Sequence, residues 1–260
     1  TQNPVFYNLV FDMMWRDGPV EAKDWLYRYV RRRYGAESAA AIEAWNILLE
    51  TAYRRGTSGV ESSSIVAARP ALNVKKSGPN AGFGIPYPPR RLADAWKLLL
   101  QDSERLKGSD GYRFDVADVA RQVLSNLGQA IQKDIASAHG KGDKADFWKK
   151  SAEFLELLDD IDSVCATRPE CSFGKWVADA RRWGTTDAER DLYEHNASML
   201  VTLWGPEEAG GRKPEIFDYS WREWAGLIKD YYRPRWEMFF KYLDEHPEYR
   251  ESGLPRVYGR

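Results

Sequence analysis

The chain has 260 residues, 43% apolar and 30% charged, with a formal net charge of −1. That is enough to bury a sizeable core, as one large domain or two small ones, and it gives no general case for nucleic acid or an acidic membrane surface as partner. No run approaches the roughly 18 apolar residues of a membrane span, and the high aromatic share, 13% with 11 Trp and 14 Tyr, points to large core anchors, a sugar-binding surface, or both.

The opening Thr-Gln-Asn-Pro reads as an internal start, so a missing leader says nothing about compartment. The stretch Val5 to Trp15 is the most apolar, but Asn8 and Asp12 interrupt it. From Val20 to Tyr34 apolar side chains recur at three and four through Leu26, Tyr29 and Val30, which predicts a helix closed by Gly35. The basic run Arg28, Arg31, Arg32, Arg33 lies on that helix and reads as its solvated face rather than as a phosphate site. Ala41, Ala44, Trp45, Leu48, Leu49 and Ala52 form a second stripe. The region Gly56 to Arg90, rich in Gly and Pro, predicts one long loop.

Leu92, Ala95, Trp96 and Leu99 form a third stripe. A long fourth runs from Val116 through Val119, Val123, Leu127 and Ile131 to Ile135. Phe147, Phe154, Leu155 and Leu158 make a fifth, with Trp148 at its edge, and Phe173, Trp176, Val177 and Ala180 a short sixth. Between the last two, Cys165 and Cys171 are open to two readings, free thiols in a helix–helix loop or a local disulfide. Thr186-Asp-Ala-Glu189 is a capping box that opens a helix through Leu192 and Met199. Ser220-Trp-Arg-Glu223 repeats the pattern before Trp224 to Leu243, where Pro234 predicts a kink or break near Tyr232. Strand signals are almost absent, so the fold expected is all-α, a multi-helix bundle with one long loop over about 56–90.

Few constellations suggest chemistry. The pairs Asp159-Asp160 and Glu207-Glu208 are adjacent in sequence, whereas general acid–base work needs two carboxyls across a cleft. There is no nucleophile elbow, and Gly82-Phe-Gly84 is too short for a phosphate loop. His139, His195 and His246 lie far apart, so neither a metal nor a cofactor is expected. The informative stretch is Tyr193 to Trp236. Trp204 ends a helix at a Gly-Pro stop, and Ile216 and Tyr219 begin the next segment, so the three can cluster at one rim of the bundle. An indole against the C–H face of a sugar, with a phenol nearby, is a workable contact. On spacing alone, such residues at helix ends are more often core anchors.

Here the chain resembles glycoside hydrolase family 89, the α-N-acetylglucosaminidases. The resembling segments are Leu192 to Asn196, Thr202-Leu-Trp-Gly-Pro206, Ile216-Phe-Asp-Tyr219, Ala225-Gly-Leu, and Tyr231-Tyr-Arg-Pro-Arg-Trp236. Upstream they include Asn3-Pro-Val-Phe-Tyr7, Arg32-Arg-Tyr-Gly35, Arg69-Pro-Ala-Leu72, Ala95-Trp96-Lys-Leu-Leu99 and Tyr112-Arg-Phe-Asp115. The match is collinear over most of the chain.

The resemblance implies that residues 1–260 are the C-terminal helical domain of a larger enzyme with a small N-terminal domain and a catalytic barrel. Such enzymes remove terminal α-linked N-acetylglucosamine with retention, through two Glu residues that here would both precede Thr1. The helical domain closes one side of the sugar pocket, with Trp204, Ile216 and Tyr219 as substrate-binding residues and no catalytic residue of its own; Phe217 is expected in the core.

Two departures stand out. The stretch Glu207 to Glu215 is longer than in animal members, and the chain stops at Tyr258-Gly-Arg260, where one more helical segment is expected. The implied partners are the other domains of the parent and a glycan ending in α-N-acetylglucosamine. The implied setting is secretion or the periplasm in bacteria, or the lysosome in an animal. The competing reading is a non-catalytic helical carbohydrate-binding or scaffold module. A third, resting on Arg31 to Arg33, is a helical nucleic-acid binder. If the barrel docks here, an unusually large exposed apolar patch is expected as well.

Overall fold

The computed structural model describes residues 4–53, 64–77, 82, 84–204 and 218–250. Among these, helices dominate and no named strand occurs; two isolated β-bridges, Lys76 with Gly82 and Ser172 with Ala225, are the nearest approach. The helices are α1 (Pro4–Met13), α2 (Ala22–Tyr34), α3 (Ala39–Glu50), α4 (Pro89–Gln101), α5 (Ser103–Leu106), α6 (Asp110–Lys141), α7 (Lys144–Ala166), α8 (Phe173–Arg181), α9 (Asp187–Val201) and α10 (Arg233–Glu245). The all-α expectation holds. No helix of the described residues is long and apolar enough to cross a membrane.

Two compact units share the chain. The first comprises residues 1–54 and 90–119, the second 55–89 and 120–260. Residues 110–119 of α6 belong to the first and 120–141 to the second. In the first unit, α2 buries Trp25, Leu26, Tyr29, Val30 and Tyr34, the face its spacing implied, and Gly35 ends it in the left-handed region at φ 69°. Ser38 caps α3 by accepting from the Ala41 N–H. Arg28, Arg31 and Arg32 are solvent-exposed as expected, but Arg33 is not a surface cation. It makes a two-pronged pair with the buried Asp115, Nε to Oδ2 at 2.7 Å and Nη2 to Oδ1 at 2.8 Å. Tyr34 also donates to Asp115, at 3.0 Å, and Trp45 Nε1 donates to Tyr34 at 2.8 Å.

Burial pushes the Asp115 carboxyl up to about 6, against the downward pull of Arg33 and Tyr34. In the unfolded chain it would titrate near ~3.9. Between these values the folded chain binds a proton that the unfolded chain does not. This group's contribution to stability therefore grows as pH falls through that window, and is least favourable above it. A carbon-13 titration of the Asp115 carboxyl is expected to have its midpoint near 6. Arg33→Met should raise it further; a midpoint at the ordinary aspartate value would refute this account.

The core of the second unit gathers Phe147, Phe154, Leu158 and Ile161 of α7 with Trp236, Phe239, Phe240 and Leu243 of α10, beside Ile65 to Ala68. Trp236 is fully enclosed, with ring centroids of Phe154 and Phe240 4.8 and 5.7 Å away. Thr186 and Glu189 form the predicted capping box of α9. Both cysteines are buried thiols and neither is in a disulfide, which decides the open choice. Cys165 donates to the Glu223 carbonyl at 3.2 Å, and burial holds its thiol well above the ordinary range.

One expectation needs revising, one helix was not anticipated, and one predicted break takes a specific form. The run from Val5 is helix α1, although its exposed aromatic residues give no single buried stripe. Ser220 does not cap a helix: residues 221–224 are irregular, and the Glu223 carboxylate is buried against Arg121 and the Ser64 hydroxyl. The helix start is capped from a distance instead, by Asp162 of α7, whose Oδ1 accepts from the backbone N–H of Gly226 at 2.8 Å and Lys229 at 3.2 Å. The predicted break near Tyr232 is a π turn, Ile228–Tyr232, that runs into α10 with Pro234 in its first turn. Proline has no N–H for the usual i→i−4 bond and crowds the carbonyl there; one wider turn accommodates both effects.

Of the loop expected over 56–90, residues 56–63, 78–81 and 83 lie outside the described residues. Residues 65–67 make a turn, and Pro89 already opens α4.

Candidate functional site

Helix α9 ends through its own carbonyls. The Thr202 hydroxyl donates to the Ser198 carbonyl at 2.8 Å, and the N–H groups of Thr202 and Trp204 both reach the Met199 carbonyl, at 3.3 and 2.7 Å. The second of these bonds accompanies a left-handed backbone at Trp204, φ 69°. Glycine usually takes that place at a helix end. For a residue with a Cβ it costs roughly 1–2 kcal/mol. Such strain persists where surrounding contacts over-determine it, and it clusters at functional sites.

The described chain resumes at Asp218, also left-handed at φ 48°. Its N–H donates to the Thr202 carbonyl at 3.2 Å. This single bond brings the next residue, Tyr219, beside Trp204: their ring centroids are 5.1 Å apart and their planes meet at 52°. Trp204 is half-buried and Tyr219 is 49% exposed, so neither ring is sealed in the interior. Two of the three residues singled out in the sequence therefore meet at the surface of the second unit. The third, Ile216, lies outside the described residues, as do Phe217 and the pair Glu207-Glu208.

Next to Tyr219 in the chain, Asp218 centres a charged cluster that sequence reasoning missed. The Asp218 side chain is fully buried. Arg69 Nε donates to its Oδ2 at 2.9 Å. Arg235 grips both oxygens, Nη1 to Oδ1 at 3.2 Å and Nη2 to Oδ2 at 3.3 Å. The Tyr231 hydroxyl donates to Oδ1 at 3.3 Å. Burial pushes the Tyr231 phenol up to about 12, so it stays protonated as a donor. The Arg235 guanidinium also lies over the Tyr231 ring, 4.9 Å from its centroid, and over that of the buried Tyr232 at 5.7 Å.

All four residues were already visible, in three separate motifs: Arg69 in Arg-Pro-Ala-Leu, Asp218 in Ile-Phe-Asp-Tyr, Tyr231 and Arg235 in Tyr-Tyr-Arg-Pro-Arg-Trp. Their convergence was the missing signal.

Asp159, of the pair Asp159-Asp160, forms an exposed ion pair with Arg233 at 2.9 Å. His139 is tied to the Tyr249 carbonyl at 3.0 Å. No group of His, Cys, Asp or Glu among the described residues is placed to hold a metal ion. The rim offers what a neutral, partly apolar ligand needs: an aromatic face, a phenol, and a rigid support. Among the described residues it holds no pair of carboxylates across a cleft.

Comparison with known proteins gives a consistent picture. Residues 25–253 match the family described as Alpha-N-acetylglucosaminidase (NAGLU) C-terminal domain. The chain is 32% identical over 248 residues to the alpha-N-acetylglucosaminidase of Homo sapiens, covering 94% of this chain and 32% of that protein. It is similar to the family 89 glycoside hydrolase from Clostridium perfringens in complex with PUGNAc, with a TM-score of 0.90 and 34% identity over 98% of this chain and 29% of that one. The same figures hold against a form of that hydrolase in complex with its substrate GlcNAc-alpha-1,4-galactose. The chain thus spans about a third of the length of these relatives.

Proposed function

Because the chain belongs to the family of alpha-N-acetylglucosaminidase C-terminal domains of glycoside hydrolase family 89, we propose that it closes one side of the sugar pocket of a retaining exo-α-N-acetylglucosaminidase. In this reading Trp204 stacks on the sugar face, Ile216 packs on the N-acetyl group or ring, and Tyr219 hydrogen-bonds the sugar. The catalytic pair, two Glu residues of a barrel domain, lies outside this chain. A retaining glycosidase needs two carboxyls about 5–5.5 Å apart across the scissile bond; among the described residues the rim around Trp204 supplies binding surface and no such pair. The observation that carries the reading is the half-exposed Trp204–Tyr219 pair on a strained, tightly anchored backbone.

The partners proposed are the N-terminal and barrel domains of the same parent chain, together with a glycan ending in α-linked N-acetylglucosamine. Support for a covered surface comes from α1 and the residues after it. Phe6, Tyr7, Val10, Phe11, Met14 and Trp15 are all exposed, Trp15 to 89%. Scattered exposed apolar residues are ordinary, but so many of them within residues 6–15 support an interaction surface. For the parent we propose a secreted or periplasmic bacterial enzyme, with the lysosome as its place in an animal.

The direct test is an assay on an aryl α-N-acetylglucosaminide. The full-length parent is expected to release N-acetylglucosamine with retained anomeric configuration, and this chain alone to show no turnover. Turnover by the isolated chain, or inversion by the parent, would refute the assignment of the two carboxylates.

A further inference from the structure

We propose that Asp218 is a positioning residue, its carboxylate clamped by Arg69 and Arg235 so as to set the geometry of the Trp204–Tyr219 ring pair. This deepens the pocket-wall reading and rests on it for its functional consequence. The structural part stands on geometry alone.

Asp218 is the one described residue bonded to both sides of the pair. Its backbone N–H holds Thr202, two residues before Trp204. Its own peptide leads directly into Tyr219. A rotation at Asp218 therefore displaces Tyr219 and loosens the turn that carries Trp204. Its carboxylate blocks that rotation because its partners come from distant segments: Arg69 lies 149 positions away, Arg235 17 and Tyr231 13. The Arg235 guanidinium lies over the buried Tyr232 ring, and the next residue in its helix is the fully buried Trp236, so the clamp ties the rim to the core of the second unit. The left-handed backbones at residues 204 and 218 need such outside support to persist.

The chemistry suggests a clean variant. Asn has the size of Asp and tolerates the left-handed region at least as well. Asp218→Asn thus leaves volume and backbone preference alone and removes only the charge and one acceptor oxygen. The amide NH2 must then face a guanidinium N–H of Arg69 or Arg235, donor against donor.

The experiment uses the full-length enzyme labelled with 5-fluorotryptophan, the residue 204 signal being assigned by its loss in Trp204→Phe. Asp218→Asn is expected to shift or broaden that signal. It should also lower kcat/KM by about 10- to 100-fold, the scale of a 1 Å misplacement. Adding Asp218→Asn to the double variant Trp204→Ala, Tyr219→Ala should cost no more than about twofold, because Asp218 acts through the two rings. An unchanged fluorine signal, or a further multiplicative loss once both rings are gone, would overturn the proposal.

If Trp204→Ala itself leaves kcat/KM untouched, the pocket-wall reading fails, and the fluorine signal still decides the positioning claim. If Asp218→Asn does not fold, Arg69→Gln takes its place. Arg69 sits on the open side of the cluster, its side chain 33% exposed, and its loss frees one arm of the clamp. The same shift at residue 204 is then expected, and its absence counts against the proposal equally.

Discussion

Replacing Trp204 with Ala in the full-length glycosidase is expected to lower kcat/KM by about 30-fold or more, the equivalent of about 2 kcal/mol for a buried aromatic anchor of a binding site. The indole is already half-withdrawn from water beside Tyr219, with centroids 5.1 Å apart. Binding a sugar face against it would thus cost little extra ordering of the side chain. Truncation removes that face and leaves the Tyr219 ring without its neighbour. Stability should move far less than activity, because the residue sits at the rim and not among the core rings around Trp236. Alanine meets the same left-handed backbone penalty as tryptophan, so the substitution brings no compensating relief there. Wild-type kcat/KM in Trp204→Ala would dispose of the stacking role.

The largest effect on stability is expected at a different pair. Arg121 and Glu223 form an ion pair in which the Glu223 side chain is 1% exposed and the Arg121 side chain 21%. The Ser64 hydroxyl also donates to Glu223 and in turn accepts from the Val66 N–H at 3.1 Å. Arg121→Met removes the cation and strands a carboxylate that has almost no access to water. Breaking a buried pair from one side typically costs about 3–5 kcal/mol.

The double variant Arg121→Met, Glu223→Met separates mechanism from volume. Once both charges are gone no ion is stranded, and an apolar pair at a buried ionic site is often neutral or better. Urea unfolding followed by circular dichroism should therefore show a large loss for the single variant and substantial recovery in the double. Equal losses would mean that the site depends on shape and not on charge pairing.

Most of the fold was legible because local signals agreed with it. Stripes at three and four located α2, α3, α4, α6, α7 and α8, the capping box of Thr186 and Glu189 located α9, and Gly35 marked an end where the structure has it. α1 was not read as a helix because apolar side chains fill the positions from Val5 to Trp15 except Asn8 and Asp12, which leaves no one-sided spacing to mark a face. Ser220 to Glu223 misled because a capping box is a local pattern, and Glu223 has a stronger partner in Arg121, 102 positions away. The capping task then passes to Asp162 on another helix, which no local pattern announces.

At the site, Trp204 and Tyr219 were visible as residues, and from spacing alone they looked like core anchors. Asp218 was hidden for a different reason. A carboxylate's burial depends on which guanidinium groups the tertiary fold delivers to it, and that information sits in no window of sequence around it.

The bond from the Asp218 N–H to the Thr202 carbonyl also acts as a stem. It joins the two ends of the segment 205–217, so the number of residues between them is uncoupled from the placement of the rings on either side. Lengthening a closed loop is entropically cheap, about 0.6 kcal/mol for each doubling. Residues 207–213, which leave Ile216 untouched, are therefore a natural place to graft a foreign peptide or a purification tag, and the stem would leave the Trp204–Tyr219 pair where it is.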